Sequence, residues 1–67
     1  MRIGVTQRVE YINEYSEVRD CLDQRWSKLL DVLKMTMVPI PNSLSNVENW
    51  LDVMKCDAYI LTGGNDL

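Results

Sequence analysis

The sequence contains no histidine, and only two cysteines, two prolines and three glycines among its 67 residues. Without histidine, this chain by itself cannot form a Cys–His or Ser–His catalytic pair or an imidazole metal site. The two cysteines, Cys21 and Cys56, match no metal-binding or redox spacing, although their even number permits one disulfide. Such sparse cysteine usage fits a reducing cytosol, so we expect a cytoplasmic protein.

Basic runs and long apolar runs are also missing. Seven basic and ten acidic residues give a net charge of −3, and no two basic residues are adjacent. This charge pattern argues against nucleic acid as the main partner. No apolar stretch approaches the roughly 18 residues needed to span a bilayer, so we expect no membrane partner either.

The remaining composition is that of a small globular chain. The hydrophobic fraction of 46% is too high for disorder. A chain of this length buries only about 60% of the surface that its unfolded form exposes, so its independent stability is expected to be marginal.

Three short stretches predict β-strands. Residues 2–6 are β-branched and apolar around Gly4, which we interpret as a point of close approach by another backbone. Residues 35–38 predict a second strand, and the prolines that follow predict that it ends near Val38 or lies at a sheet edge. The apolar run from Ala58 to Leu61 predicts a third, buried strand.

The segments between these strands predict two helices. We interpret residues 9–15 as a loop and Ser16 as the N-cap of a helix that ends at Lys34. Its apolar residues recur at helical spacing: Val18, Leu22, Trp26, Leu29 and Leu33. Ser45 and Glu48 form a capping-box pattern at the start of a second helix, which ends near Lys55.

Strand, helix, strand, helix, strand is a βαβαβ pattern, which predicts an α/β fold with three parallel strands. Ligands of such sheets bind at the carboxyl ends of the strands. There the sequence has a turn, Thr62-Gly63-Gly64-Asn65. The two glycines either only form the turn or also present backbone N–H groups to an oxyanion.

Four stretches together resemble the beginning of a class I glutamine amidotransferase-like domain, in the branch that contains the γ-glutamyl hydrolases. They are residues 3–8 (IGVTQR), 17–26 (EVRDCLDQRW), 39–42 (PIPN) and 56–67 (CDAYILTGGNDL). The most specific parts are the Arg-Asp-x-Leu-Asp-x-x-Trp and Leu-Thr-Gly-Gly-Asn-Asp segments. The resemblance implies that residues 1–67 are the incomplete N-terminal portion of one flavodoxin-like domain, its first parallel half-sheet.

The resemblance also implies roles for particular residues. Gly63 and Gly64 would donate backbone N–H groups to an oxyanion hole. Gln7 and Arg8 would face the same crevice, where Arg8 either attracts a substrate carboxylate or phosphate or forms a surface ion pair. Asn65 and Asp66 would either contact substrate or cap the next helix.

The catalytic residues of that family are missing from this chain. Its nucleophile lies on a Gly-x-Cys-x-Gly elbow, followed by a histidine and a glutamate, and neither Cys21 nor Cys56 has the flanking glycines. The resemblance thus implies part of a cysteine-dependent hydrolase of small γ-glutamyl amides, without metal or other cofactor. The chain also resembles a subgroup tied to bacterial surface-polysaccharide biosynthesis, which would remove a γ-glutamyl group from a nucleotide-linked amide. The chain would need the rest of its domain or an oligomeric partner.

Two other hypotheses remain open at this point. The chain is alternatively a binding or regulatory module that kept the half-domain without its chemistry. The other hypothesis is that it is a structural α/β chain that oligomerises through an open sheet edge.

Overall fold

The computed structural model describes residues 1–62, which form two helices, five strands and one short 3-10 turn. The elements are β1 (Arg2–Thr6), β2 (Arg8–Ile12), the 3-10 turn (Asn13–Tyr15), β3 (Glu17–Cys21), α1 (Gln24–Val32), β4 (Thr36–Ile40), α2 (Val47–Met54) and β5 (Ala58–Ile60). Strands β4, β1 and β5 form a parallel sheet in that order, and β2 pairs with β3 in a separate antiparallel hairpin. The predicted α/β class with a parallel sheet is confirmed.

The central strand of the sheet is β1, which has the bounds of the first predicted strand. Ile3 and Val5 are buried beneath α1, together with Leu30 of that helix. Gly4 lies between them, and a Cβ there would be only 2.6 Å from Cδ1 of Tyr59. The close approach predicted at Gly4 is therefore made by an aromatic side chain of β5 and not by another backbone.

The hairpin of β2 and β3 replaces two predicted features, and both predictions were wrong. Residues 9–15 are not a loop, because residues 8–12 alternate polar and apolar side chains and pair as a strand. Ser16 does not cap a helix. It has a left-handed backbone (φ 51°), and its N–H donates to the carbonyl of Asn13 to close the turn.

Helix α1 begins seven residues later than predicted. Its N-cap is Asp23, whose carboxylate accepts a hydrogen bond of 2.8 Å from the backbone N–H of Arg25. Leu30 is buried, whereas Leu29 and Leu33, which were predicted on the apolar face, are about half exposed.

Strand β4 lies at a sheet edge, as one of the two alternatives predicted, and this position lets Pro39 remain within it. Helix α2 ends at Met54 with Lys55 as a left-handed C-cap, which confirms the predicted end near Lys55. Its N-cap is Asn46, however, whose side chain accepts from the N–H of Asn49. The prediction of a capping box with Ser45 as the N-cap was therefore wrong.

The core of the described residues is small. Its buried hydrophobic side chains are Ile3, Val5, Leu30 and Val38. Neither helix in residues 1–62 is long and apolar enough to span a membrane.

Candidate functional site

Two threonines join the carboxyl ends of β1 and β5. The backbone N–H of Thr62 donates to Oγ1 of Thr6 at 2.9 Å, and Oγ1 of Thr62 donates to the Thr6 carbonyl at 2.7 Å. Both side chains are partly buried. These bonds hold the chain that leaves β5 against the end of the central strand, which is where parallel sheets bind ligands.

A groove opens beside this threonine pair. We call it the carboxyl-end groove, and its volume of about 150 Å³ is enclosed by Arg8, Cys21, Leu22, Asp23, Trp26 and Thr62. Small-molecule pockets usually measure about 300–1,000 Å³, so the groove has the size of part of a binding site. Its lining comes from the base of the hairpin, the start of α1 and the end of β5.

The groove carries charges of both signs. The guanidinium of Arg8 forms a loose ion pair of 3.6 Å with Glu10, and both side chains are about half exposed. Asp23 accepts hydrogen bonds from the side chain and the backbone N–H of Arg25, which lower its pKa to about 2. Asp23 is therefore ionised at neutral pH, and Arg8 is the cation of the groove.

Cys21 lies in the groove as a protonated thiol. Its Sγ donates a hydrogen bond of 3.0 Å to Glu10, and this bond, followed by desolvation, raises the pKa of the thiol. A thiol with a raised pKa has little of the nucleophilic thiolate at neutral pH. Cys56 lies before β5, at the other end of the strand from Thr62, and neither cysteine forms a disulfide.

Gln7 forms a structural contact at the same edge of the sheet. Its Nε2 donates to the carbonyl of Ile40 at the end of β4 at 3.0 Å. Its own backbone carbonyl accepts from Nδ2 of Asn42 at 3.1 Å, so Gln7 links the ends of β1 and β4.

The predicted site residues divide between the described and undescribed parts of the chain. Gln7 and Arg8 both follow β1 at the carboxyl edge, and Arg8 lines the carboxyl-end groove. The other predicted residues, Gly63, Gly64, Asn65 and Asp66, lie outside the described residues. Thr62, which is described, is the first residue of the predicted turn.

Comparison with known proteins gives one clear similarity. The γ-glutamyl-CDP-amidate hydrolase of Campylobacter jejuni is 40% identical to this chain over 70 residues. The similarity supports a relationship with γ-glutamyl hydrolases. The aligned region covers 100% of this chain but only 34% of the relative, so the chain spans about a third of that protein's length.

Two other comparisons gave no match. No protein-family profile matches the chain, and no solved structure matches it. Within residues 1–62, no three or more Asp, Glu or Cys side chains are grouped so that they could hold a metal ion.

Sequence reasoning missed two contacts that shape the site. Thr6 ends β1 and Thr62 lies two residues after β5, and two β-branched hydroxyl residues at the carboxyl ends of neighbouring parallel strands were a signal for their pairing. Asp20 accepts from both the backbone and the side chain of Asn42. That contact was hidden because residues 17–21 were predicted as helix.

Proposed function

We propose that the protein containing this chain hydrolyses the γ-glutamyl amide bond of a nucleotide-linked substrate. The observation that carries the proposal is the Thr6–Thr62 pair, because it holds Thr62, the residue before Gly63 and Gly64 in the sequence, at the carboxyl end of the central strand. The similarity to a γ-glutamyl-CDP-amidate hydrolase supports the substrate class. We propose accordingly that this chain contributes one side of a hydrolase site.

The proposed fold is the first part of a flavodoxin-like class I glutamine amidotransferase domain. Counting only the parallel strands in chain order, β1, β4 and β5 lie side by side in the order 2-1-3. That order begins the 2-1-3-4-5 arrangement of flavodoxin-like sheets, whose ligands bind at the crevice between strands 1 and 3. In this chain the corresponding crevice lies where Thr6 contacts Thr62.

In the proposed reaction, a cysteine thiolate supplied by the rest of the protein attacks the amide carbonyl. The backbone N–H groups of Gly63 and Gly64 stabilise the oxyanion that forms, an interaction whose loss typically costs about 3–4 kcal/mol in the transition state. The amine then leaves with a proton, and water hydrolyses the glutamyl thioester to release glutamate and the free thiol.

The proposed substrate contacts are those at the edge of the same crevice. The guanidinium of Arg8 is about half exposed at the groove and would bind an anionic oxygen of the substrate. Gln7, Asn65 and Asp66 complete the proposed set of substrate-binding residues. For Gln7, the bond to the Ile40 carbonyl fixes the position of the amide at this edge.

The test is turnover by the protein expressed from its complete coding sequence. We expect release of glutamate from γ-glutamyl-CDP-amidate, detected by a coupled glutamate assay, and slower release from L-glutamine. A protein that binds the nucleotide-linked amide without releasing glutamate would instead be a binding or regulatory module. Absence of both binding and turnover would contradict the proposal.

A further inference from the structure

The base of the β2–β3 hairpin is tied to the end of β4 by four hydrogen bonds. The Asp20 carboxylate accepts from the Asn42 backbone N–H at 3.1 Å and from Asn42 Nδ2 at 2.9 Å. The same Nδ2 donates to the Gln7 carbonyl at 3.1 Å, and Gln7 Nε2 donates to the Ile40 carbonyl at 3.0 Å. Asn42 therefore contacts both sides of the hairpin base, Gln7 just before β2 and Asp20 in β3. We call the contact between Asp20 and Asn42 the hairpin bridge.

The hairpin depends on few other contacts for its orientation. Among the described elements, β2 and β3 contact each other extensively, whereas neither packs comparably on the parallel sheet or on a helix. A two-stranded hairpin alone is at best marginally stable in water. The direction in which it projects from the sheet is therefore set largely by the bonds at its base.

The strand register shows what the hairpin bridge holds in place. Arg8 pairs with Cys21, and the next pair along the hairpin is Val9 with Asp20. Because successive side chains of a strand point to opposite faces, Asp20 lies on one face and Arg8 on the other. Asn42 therefore holds the hairpin from the face opposite the carboxyl-end groove, and the groove face presents the Arg8 guanidinium.

We propose that Asp20 and Asn42 are positioning residues that hold Arg8 at the carboxyl-end groove, where its guanidinium binds an anionic group of the substrate. This inference rests on the proposed hydrolase function and extends it to the hairpin. The anionic group is either the glutamyl α-carboxylate or a phosphate of the substrate, since a guanidinium binds both in the same way.

The first measurement compares Asp20→Ala with wild type in the full-length protein. We expect KM to rise about tenfold, which corresponds to the loss of roughly one charge-assisted contact, with kcat changed less than about twofold. Asp20→Asn keeps an acceptor oxygen for Asn42 and should give an intermediate KM. Asp52→Ala, an exposed carboxylate change on α2 at the other end of the molecule, is the matched control and should leave KM unchanged.

A double-mutant cycle distinguishes positioning from a general structural effect. If Asp20 acts through Arg8, then Asp20→Ala should raise KM no further in an Arg8→Ala background. Additive effects on KM, or a fall in kcat without a change in KM, would overturn the proposal.

Two substrates separate the two sources of the anionic group. The KM increase should appear with both γ-glutamyl-p-nitroanilide and γ-glutamyl-CDP-amidate if Arg8 binds the α-carboxylate. It should appear with the nucleotide-linked amide alone if Arg8 binds a phosphate. An unchanged KM for both substrates contradicts the proposal.

Amide hydrogen exchange tests the hairpin bridge independently of turnover. Asp20→Ala should accelerate exchange in β2 and β3 and leave exchange in β1 unchanged, because β1 is held between β4 and β5. If wild type shows no hydrolysis, the proposed function fails, while faster hairpin exchange still identifies the bridge. Unchanged hairpin exchange in Asp20→Ala would refute the positioning role itself.

Discussion

Cys21 illustrates how one neighbour determines the chemistry of a residue. It lies at the proposed site, yet its thiol donates to the Glu10 carboxylate across the base of the hairpin. A carboxylate that accepts from the thiol favours the protonated form, so the pKa of Cys21 is raised. Its position in the groove therefore does not make it a nucleophile.

Removing the Glu10 charge should make Cys21 more reactive. In Glu10→Gln, the thiol loses its charged acceptor, its pKa falls towards the ordinary value, and the thiolate fraction at a given pH increases. We expect faster alkylation of Cys21 by iodoacetamide at pH 8, measured on the Cys21 peptide by mass spectrometry. Cys56 serves as the internal control and should react at the wild-type rate. An unchanged rate at Cys21 would contradict the assigned hydrogen bond.

At the scale of elements, the helix caps decide where α1 and α2 begin. Asp23 and Asn46 each accept a hydrogen bond from a backbone N–H of the first turn. Both replace serines that the sequence pattern favoured, Ser16 and Ser45. In both regions a short polar side chain closer to the apolar residues of the helix was available as the cap.

The cap of α2 is tested by comparing two neighbouring substitutions. Asn46→Ala removes the acceptor for the Asn49 N–H and should weaken the start of α2 by about 1 kcal/mol. Amide exchange within α2 should then be about fivefold faster, provided that it proceeds by local opening. Ser45→Ala is the matched control, and its exchange should remain close to wild type. Faster exchange in Ser45→Ala than in Asn46→Ala would instead identify Ser45 as the N-cap.

The cap of α1 should depend on pH. The pKa of Asp23 is about 2 in the folded chain, below its ordinary value of 3.8, because Arg25 donates to its carboxylate. Because the folded-state pKa is lowered, the ionised Asp23 carboxylate stabilises the folded chain. This stabilisation is fully present above about pH 4 and is lost as the pH falls through 2. Asp23→Asn keeps an acceptor oxygen but does not titrate. The protection factors of the α1 amides, which correct for the intrinsic pH dependence of exchange, should therefore fall between pH 4 and pH 2 in wild type and change less in Asp23→Asn.

Elements whose apolar residues follow one clear periodicity could be predicted. The segment of residues 17–21, which fits two periodicities, could not. β1, α2 and the parallel pairing followed from a short β-branched run, an apolar helix face and the βαβ rule. Residues 17–21 fit both helix and strand, since their few apolar residues do not choose between the two periods. The cross-strand partners that decide in favour of β3 lie 5 to 13 residues earlier, in β2.

The position of Arg8 could also be predicted from the local sequence. Arg8 was expected at the crevice because it is the second residue after β1, whatever forms the next element. Asp20 lies in a segment that was predicted as helix, so its contact with Asn42 could not be anticipated. Contacts between distant segments require the topology, which local sequence patterns do not contain.

At the scale of the whole molecule, the parallel sheet has two edges of different character. β4 forms one edge and contains Pro39, which has no N–H to offer to another strand. β5 forms the other edge and is a short strand of residues Ala58–Ile60 with Tyr59 about half exposed. A further strand therefore finds fewer obstacles beside β5 than beside β4.

The size of the core predicts how the 67-residue chain behaves alone. Four buried hydrophobic side chains in residues 1–62 are few for a stable domain, and large apolar side chains such as Val32 and Val53 are mostly exposed. We expect the isolated chain to lack a cooperative thermal transition as a monomer, as measured by circular dichroism over a hundredfold range of concentration. The product of the complete coding sequence is the control and should unfold in a single sharp transition. A sharp, concentration-independent transition of the 67-residue chain would show that this small core is sufficient by itself, and would favour a module that folds without additional strands.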